Sequence, residues 1–548
     1  MKIDFLKKEY LPYLIVIIAI LPSLFLRDFT ISNELRYLCI ADEALENHHF
    51  FSFTVNGQPY ADKPPLYLWI LMLGKWLFGS HLMWFISLFS IIPTIAITEI
   101  MRRWTVEELK GKWQGVAQIA FLSTVLILAM FMVLRMDILM CLFIVLALRT
   151  FWKMWSAKEC SAKNQFLLGL YTFLALFTKG PIGVLVPILV PLVWLIVKKE
   201  WKTFGRYWNW KSWLVLLIGC VLWFTAVYWE GGHDYLNNLL FHQTIDRAHD
   251  SFKHAKPFYF YVLSVLYMML PLSLLILESI IFSAVKREKR SDLQNFFLTV
   301  TVSVFVMLSC FSSKLDVYLL PIYPFCIYLG VILWQNHEEK QVSKAAHYLY
   351  LLPIAVVTIV AGVAFVISIC YNLYTDDLHV HRLDSVLGVE LVNTALIFAP
   401  ILTLLLCACF VFAFVWGIRR SYDKSLWGVF IGLYALIFVG SFAITNANPF
   451  IGYKALCEKI NETCRNNNLK VVYCYDVTRA ANMTVFLDYP IVEIEDERDV
   501  LSVNPDGVLL FEEDVDAISG LIIDKKVEKI GNVHLVSLKE KYLEKLNK

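Results

Sequence analysis

The chain has 548 residues, 58% of them apolar and 18% charged, with a formal net charge of +2. Soluble proteins carry about a quarter charged residues, so this composition excludes an ordinary soluble enzyme, and the near-neutral charge gives no reason to expect a nucleic-acid partner. Mean hydropathy is +0.60, and stretches such as YLYLLPIAVVTIVAGVAFVISIC and LVNTALIFAPILTLLLCACFVFAFVWGI exceed the ~18 apolar residues that mark a membrane-spanning helix.

The first apolar run, LPYLIVIIAILPSLFL, is followed by no small-residue cleavage site and reads as a retained helix. About 13 spans are expected by hydropathy, near 10–27, 81–101, 115–134, 136–155, 165–179, 181–198, 212–229, 258–283, 294–312, 316–334, 347–371, 392–417 and 425–445. Alternate loops then differ in charge. One set holds RRWTVEELKGK, KECSAK, KKEWKTFGRYWNWK, KREKR, HEEKQVSK and RRSYDK; the other, including 28–80 and 230–257, is far poorer in Lys and Arg. The positive-inside rule makes the first set cytoplasmic, with the N-terminus inside and the C-terminus outside.

Within the first outer loop, SNELRYLCIADEALENHHF is amphipathic and PPLYLWILMLGKWLFG is apolar but short. If the latter crossed, every later loop would change sides against the charge bias, so both are expected as juxtamembrane helices on the outer face. From about Asn446 the composition turns polar: YKALCEKINETC reads as a helix, LKVVYCY, YPIVEI and GVLLF as strands, and EKIGNVHLVSL as a strand pair. The expectation is a membrane domain over 1–445 and a small extracytoplasmic α/β domain over 446–548. Of the 12 cysteines, most lie in apolar runs as small hydrophobes. Cys457, Cys464 and Cys474 fit no zinc spacing, although two of them could pair in an oxidising compartment.

Charge at membrane depth is costly, so it marks candidate function. On the outer side it gathers in Glu34, Arg36, Asp42, Asp62, Lys63, Arg135, Asp137, Lys179, His242, Arg247, Lys314 and Asp316, flanked by Tyr37, Tyr60 and Tyr318. Any one lysine can simply snorkel to the headgroups, Arg135 and Asp137 can simply pair, and a lone histidine is commonly just a surface residue. Their co-occurrence on one side, beside prolines, glycines and aromatics, argues for more. Several cations can hold a lipid-borne phosphate, and carboxylates can serve as base or metal ligand. That mixture suits transfer of a group from a lipid phosphate at the outer leaflet. A lipid-linked oligosaccharide flippase or polymerase is the alternative, although it should spread charge through the membrane interior and show repeat symmetry.

The motifs SNELRY, NGQPYADKPPLYLW, LRMDIL, LFTKGPIGVLVP, FHQTIDRAHDSFKHAKPFYFY and SSKLDVYLLPIYP, in that order, resemble the bacterial aminoarabinose-transferase-like family of the GT-C superfamily, relatives of the protein O-mannosyltransferases. The resemblance implies an inner-membrane, polytopic α-helical glycosyltransferase. It would move a sugar from a polyprenyl-phosphate donor, with inversion, to a glycolipid (lipid A-like) or protein acceptor. It also implies roles. Lys63 and Arg247 would bind the carrier phosphate, with Lys179 or Lys314 adding to them and Tyr37, Tyr60 and Tyr318 lining the substrate site. Asp62 and His242 would share a divalent metal. Glu34 or Asp137 would orient or deprotonate a hydroxyl acceptor. The family's first acid falls on Asn33, its second loop acid is shortened to Asp62, and Asp316 replaces a family proline.

Overall fold

The computed structural model describes residues 9–240, 256–336, 342–373, 399–496, 506–512 and 527–538. The chain divides into two units. One comprises Met1–Pro22, Tyr60–Tyr67 and Trp84–Gly440; the other comprises Ser23–Pro59, Leu68–Met83 and Ser441–Lys548.

Helix dominates the first unit. Each of the thirteen expected spans holds helix in its described part. Among the described residues, seven helices are long and apolar enough to cross a membrane, and nine spans result if each of two bent pairs counts as one. The others are short, such as Ile182–Val197, or polar at an end, as in Ala162–Lys179 with its AKNQ start. The span expected at 258–283 is broken into Phe260–Met268 and Ser273–Val285, bent by 118°. Pro271 lies in the break, where it can donate no helical hydrogen bond. A 57° bend separates Lys112–Leu122 from Val125–Met132.

Two glycines set the packing around the helix Ala162–Lys179. A Cβ on Gly169 would lie 2.4 Å from the Ser212 carbonyl oxygen, and one on Gly183 would lie 2.3 Å from the Ala175 carbonyl carbon. Only a bare Cα lets the backbones approach this closely. The same helix ends at Gly180 in a positive-φ cap (φ +101), after which Pro181 opens the next helix. Lys179 is thus fixed at a helix C-terminus, the end that favours a cation.

The second unit joins the segment after the first helices to the C-terminal region. Its sheet has the order β4-β3-β5-β7-β6. β3 (Val471–Tyr475) pairs in parallel with β4 (Ile491–Ile494) and β5 (Gly507–Phe511). β7 (Val533–Ser537) runs antiparallel to β5 and to β6 (Glu528–Ile530). The expected helix and all five strands are present. Leu509, Phe511, Val536 and Leu538 form an apolar cluster on the sheet, and the helix Lys454–Asn467 buries Leu456, Cys457, Ile460 and Cys464 on one face. The three cysteines of this region are free thiols.

From the first loop, the helix Glu34–Glu46 is followed by a two-stranded hairpin, β1 (Thr54–Val55) with β2 (Gln58–Pro59). Its Asn56-Gly57 turn carries two positive φ angles, as a two-residue hairpin requires. Glu43 clamps that turn, accepting from the Thr54 hydroxyl at 2.6 Å and the Gly57 amide at 3.3 Å. The helix Pro65–Phe78 has 14 residues, about 21 Å at 1.5 Å per residue, too short for a ~30 Å hydrocarbon core.

Candidate active site

In the membrane unit, a cavity of about 300 Å³ is lined in part by Asp62, Lys63, Lys179, Ser313 and Tyr318. Leu176, Ile182, Leu185, Trp223, Phe224 and Leu240 supply much of the rest. The site therefore combines two lysines with a largely apolar lining.

Lys63 reaches it from the turn ahead of the helix Pro65–Phe78. Pro65 takes the first helical position, where a missing N–H costs nothing and φ is already helical. The turn is stiff, and so is the presentation of its charges. The Lys63 ammonium lies 2.9 Å from Asp62, whose carboxylate also accepts from the Tyr60 hydroxyl at 3.0 Å. The Tyr60 carbonyl in turn accepts from the Tyr235 hydroxyl at 2.8 Å.

A second group backs the cavity. Asp137 is buried (1% exposed) and sits between two cations. Arg135 Nε is 3.2 Å from one of its oxygens, and Lys179 pairs with the other. The Lys179 ammonium also lies 4.8 Å from the centre of the Tyr318 ring, a cation–π contact. Asp137 therefore acts here as a counter-ion for two cations rather than as a carboxylate presented to a substrate.

Lys314 faces a different task. It is 3% exposed, and its ammonium donates to the carbonyls of Lys256, at 3.2 Å, and Phe311. Its neighbour Asp316 accepts from the hydroxyls of Ser264, at 2.6 Å, and Tyr267. Those two donors account for a carboxylate where the resembling family has proline.

The remaining first-loop residues belong to the second unit. Glu34 is 1% exposed. Its two oxygens accept from Arg27 at 2.9 Å each, and one also accepts from the Thr30 amide at 2.7 Å. This bidentate pair commits Glu34 to holding the loop. Asn33 precedes the helix Glu34–Glu46 and accepts from Arg36 at 3.3 Å, while the Arg36 guanidinium lies 5.6 Å from the Tyr37 ring centre. His242 and Arg247 lie outside the described residues.

Among the described residues no three His, Cys, Asp or Glu side chains gather as a metal site. Asp62, expected as a ligand with His242, is engaged by an ammonium and a phenol; His242 lies outside the described residues.

Sequence reasoning missed Arg27, whose only signal is its distance of seven residues from Glu34, and the apolar wall at Trp223, Phe224 and Leu240. Aromatic and aliphatic residues inside a hydrophobic span carry no mark separating a cavity wall from a lipid-facing surface.

A family model described as dolichyl-phosphate-mannose-protein mannosyltransferase matches residues 62–229. An undecaprenyl phosphate-alpha-4-amino-4-deoxy-L-arabinose arabinosyl transferase from Shewanella sediminis is 26% identical over 57% of this chain. One from Edwardsiella ictaluri is 25% identical over 53%. The matches span 56% and 52% of those proteins, little more than half their length. The crystal structure of ArnT from Cupriavidus metallidurans bound to undecaprenyl phosphate superposes with a TM-score of 0.69 at 15% identity, covering 96% of this chain and 97% of that one. The chain shares the fold of that structure. The resemblance carried by the ordered motifs thus returns both in the relatives and in the architecture. The family match begins at Asp62, the first polar residue of the cavity, and takes in Lys63, Asp137 and Lys179.

Proposed function

We propose that the chain is a membrane glycosyltransferase that moves a sugar from a polyprenyl-phosphate carrier to a glycolipid or protein acceptor at the outer face of the membrane. The observation carrying this reading is the cavity in which Lys63 and Lys179 stand beside an apolar wall. A carrier lipid has the same two-part character: a phosphate to be neutralised and a hydrocarbon chain to be covered.

In this reading Lys63 binds the donor phosphate, held in place by Asp62 and, through it, by Tyr60. Lys179, fixed by Asp137 and Tyr318, adds positive charge on the same side. As the bond between the anomeric carbon and the phosphate oxygen breaks, both electrons pass to that oxygen, and the ammonium groups stabilise the growing charge. An acceptor oxygen attacks the opposite face of the anomeric carbon, which inverts it. By resemblance, Arg247 joins Lys63 on the phosphate. Glu34 and Asp137 are both engaged by cations, which favours an acceptor oxygen that is already ionised, such as a phosphate monoester, over a hydroxyl that needs a base. The loop charge bias favours a cytoplasmic N-terminus and an extracytoplasmic C-terminal region.

The test is transfer of radiolabelled sugar from a synthetic polyprenyl-phosphate donor by the purified chain in lipid nanodiscs. Wild type should transfer, and Lys63→Ala should lose at least a hundredfold in rate. Lipid translocation without transfer, or full transfer by Lys63→Ala, sinks the proposal.

A further inference from the structure

One basic surface of the membrane unit is built by two loops that are laced together. The first joins the helix Asp137–Ala157 to Ala162–Lys179; the second joins Ile182–Val197 to Trp210–Asn237. Glu200 in the second loop accepts from the Lys158 ammonium at 3.3 Å and from the Trp155 indole at 3.0 Å. Arg206 donates to the Lys158 carbonyl, and the Gln165 side chain donates to the Arg206 carbonyl at 3.4 Å. Tyr207 and Trp208, both buried, pin the second loop to the bundle.

Little of the charge on this surface is neutralised. Residues 153–163 and 198–211 hold eight Lys and Arg against two Glu, a net of +6. Lys158 is paired with Glu200, and Lys198 with Asp292. Lys153, Lys163, Lys199, Lys202 and Lys211 have no carboxylate partner among the described residues. Exposed tryptophans stand among them: Trp201 is 57% and Trp210 68% exposed. The Lys202 ammonium lies 5.8 Å from the centre of the Trp201 ring, and that of Lys211 lies 5.7 Å from Trp210.

The position of this surface narrows its partner. It lies where the helix Asp137–Ala157 ends and the helix from Trp210 begins, and both are long and apolar enough to cross a membrane. Tryptophans at such helix ends sit at headgroup depth, whereas a soluble anion has no use for exposed indoles. We propose that this surface binds the phosphate headgroups of anionic phospholipids in the leaflet it faces. The ammonium groups make charge-assisted bonds to the phosphates, and the indoles lie among the headgroups beside them. A single lysine that snorkels takes any headgroup; a cluster discriminates, because each Lys or Arg near an anionic surface strengthens binding about fivefold. The proposal stands apart from the transferase reading, since it concerns a surface that holds none of the cavity residues.

The test is a lipid titration of the full-length chain, delipidated in a neutral detergent and followed by native mass spectrometry. Cardiolipin and phosphatidylglycerol should bind at least tenfold more tightly than phosphatidylcholine. The triple variant Lys199→Gln, Lys202→Gln, Arg206→Gln should lose at least tenfold in affinity for both anionic lipids and leave phosphatidylcholine unchanged. A second triple variant, Lys344→Gln, Arg419→Gln, Lys424→Gln, removes three exposed cations from other loops and should lose less than threefold. Unchanged binding in the first variant overturns the proposal. So do equal losses in both, which would reduce the effect to diffuse charge. Displacement of the lipid by an equal concentration of inorganic pyrophosphate also overturns it, by assigning the surface to soluble phosphates. Should loss of the Arg206 bond to the Lys158 carbonyl impair folding, the double variant Lys199→Gln, Lys202→Gln decides, with a fivefold loss as the threshold.

Discussion

Glu34→Ala tests whether the first-loop acid supports structure or chemistry. The change strips the partner from Arg27, whose guanidinium is buried at 8% exposure and has both of its bonds to Glu34 at 2.9 Å. Breaking one side of a buried ion pair costs about 3–5 kcal/mol, because the other charge stays buried and uncompensated. The Thr30 amide also loses its acceptor, adding roughly 1 kcal/mol. For a unit of 150–250 residues each kcal/mol moves the midpoint by roughly 2–4 °C, so the unit containing Glu34 should melt about 8–24 °C lower. The measurement is scanning calorimetry of purified protein in detergent, paired with the transfer assay on the fraction that remains folded. Replacing both charges, Arg27→Met with Glu34→Leu, should recover more than half of the lost midpoint, since no charge is then stranded. A Glu34→Ala protein that melts like wild type but no longer transfers refutes the structural assignment and returns Glu34 to the chemistry.

Lys179→Ala should lose most transfer activity and destabilise the membrane unit by ~3 kcal/mol, because among the described residues buried Asp137 then keeps only Arg135 as an ionic partner; the readouts are the transfer rate and thermal unfolding in nanodiscs. Gly183→Val should prevent correct folding of the membrane unit, seen as aggregation on size-exclusion chromatography, because its Cβ would meet the Ala175 backbone at 2.3 Å. Burial pushes the Cys39 thiol up to about 11 and the Cys474 thiol up to about 12. Both should therefore resist maleimide at pH 8, where roughly a thousandth or less is thiolate, and label readily once urea unfolds the domain. Because Cys457, Cys464 and Cys474 are free, dithiothreitol should leave the melting midpoint unchanged.

Much of the architecture was legible because its signals are local. Long apolar runs declare helices, the polar C-terminal region alternates with a strand period, and both the helix and the five strands stand where those patterns put them. The break at Pro271 was less visible, since a proline in an apolar run can mark either a kink or a full turn. The cavity was half legible. Lys63 and Lys179 stood out because charge beside proline or glycine is conspicuous in a hydrophobic chain, whereas the apolar wall had no such contrast. The role of Glu34 could not be read, because a carboxylate beside a helix start looks the same whether it faces a substrate or a buried arginine. Nothing in the sequence linked Asn482 to Ile31, since contacts across 451 positions leave no periodic trace.

The ion pairs around the cavity also bear on how the cycle would be paced. Among the described residues, Lys63, Lys179 and Arg135 face Asp62 and Asp137, an excess of one positive charge. A loaded carrier, a phosphodiester, brings one negative charge; the emptied carrier is a monoester with about −1.5 to −2 near pH 7. The same walls therefore attract the spent lipid more strongly than the loaded one. Under the transferase reading, turnover is governed by departure of the empty carrier, emptied carrier inhibits in competition with donor, and added salt speeds the cycle before it weakens donor capture.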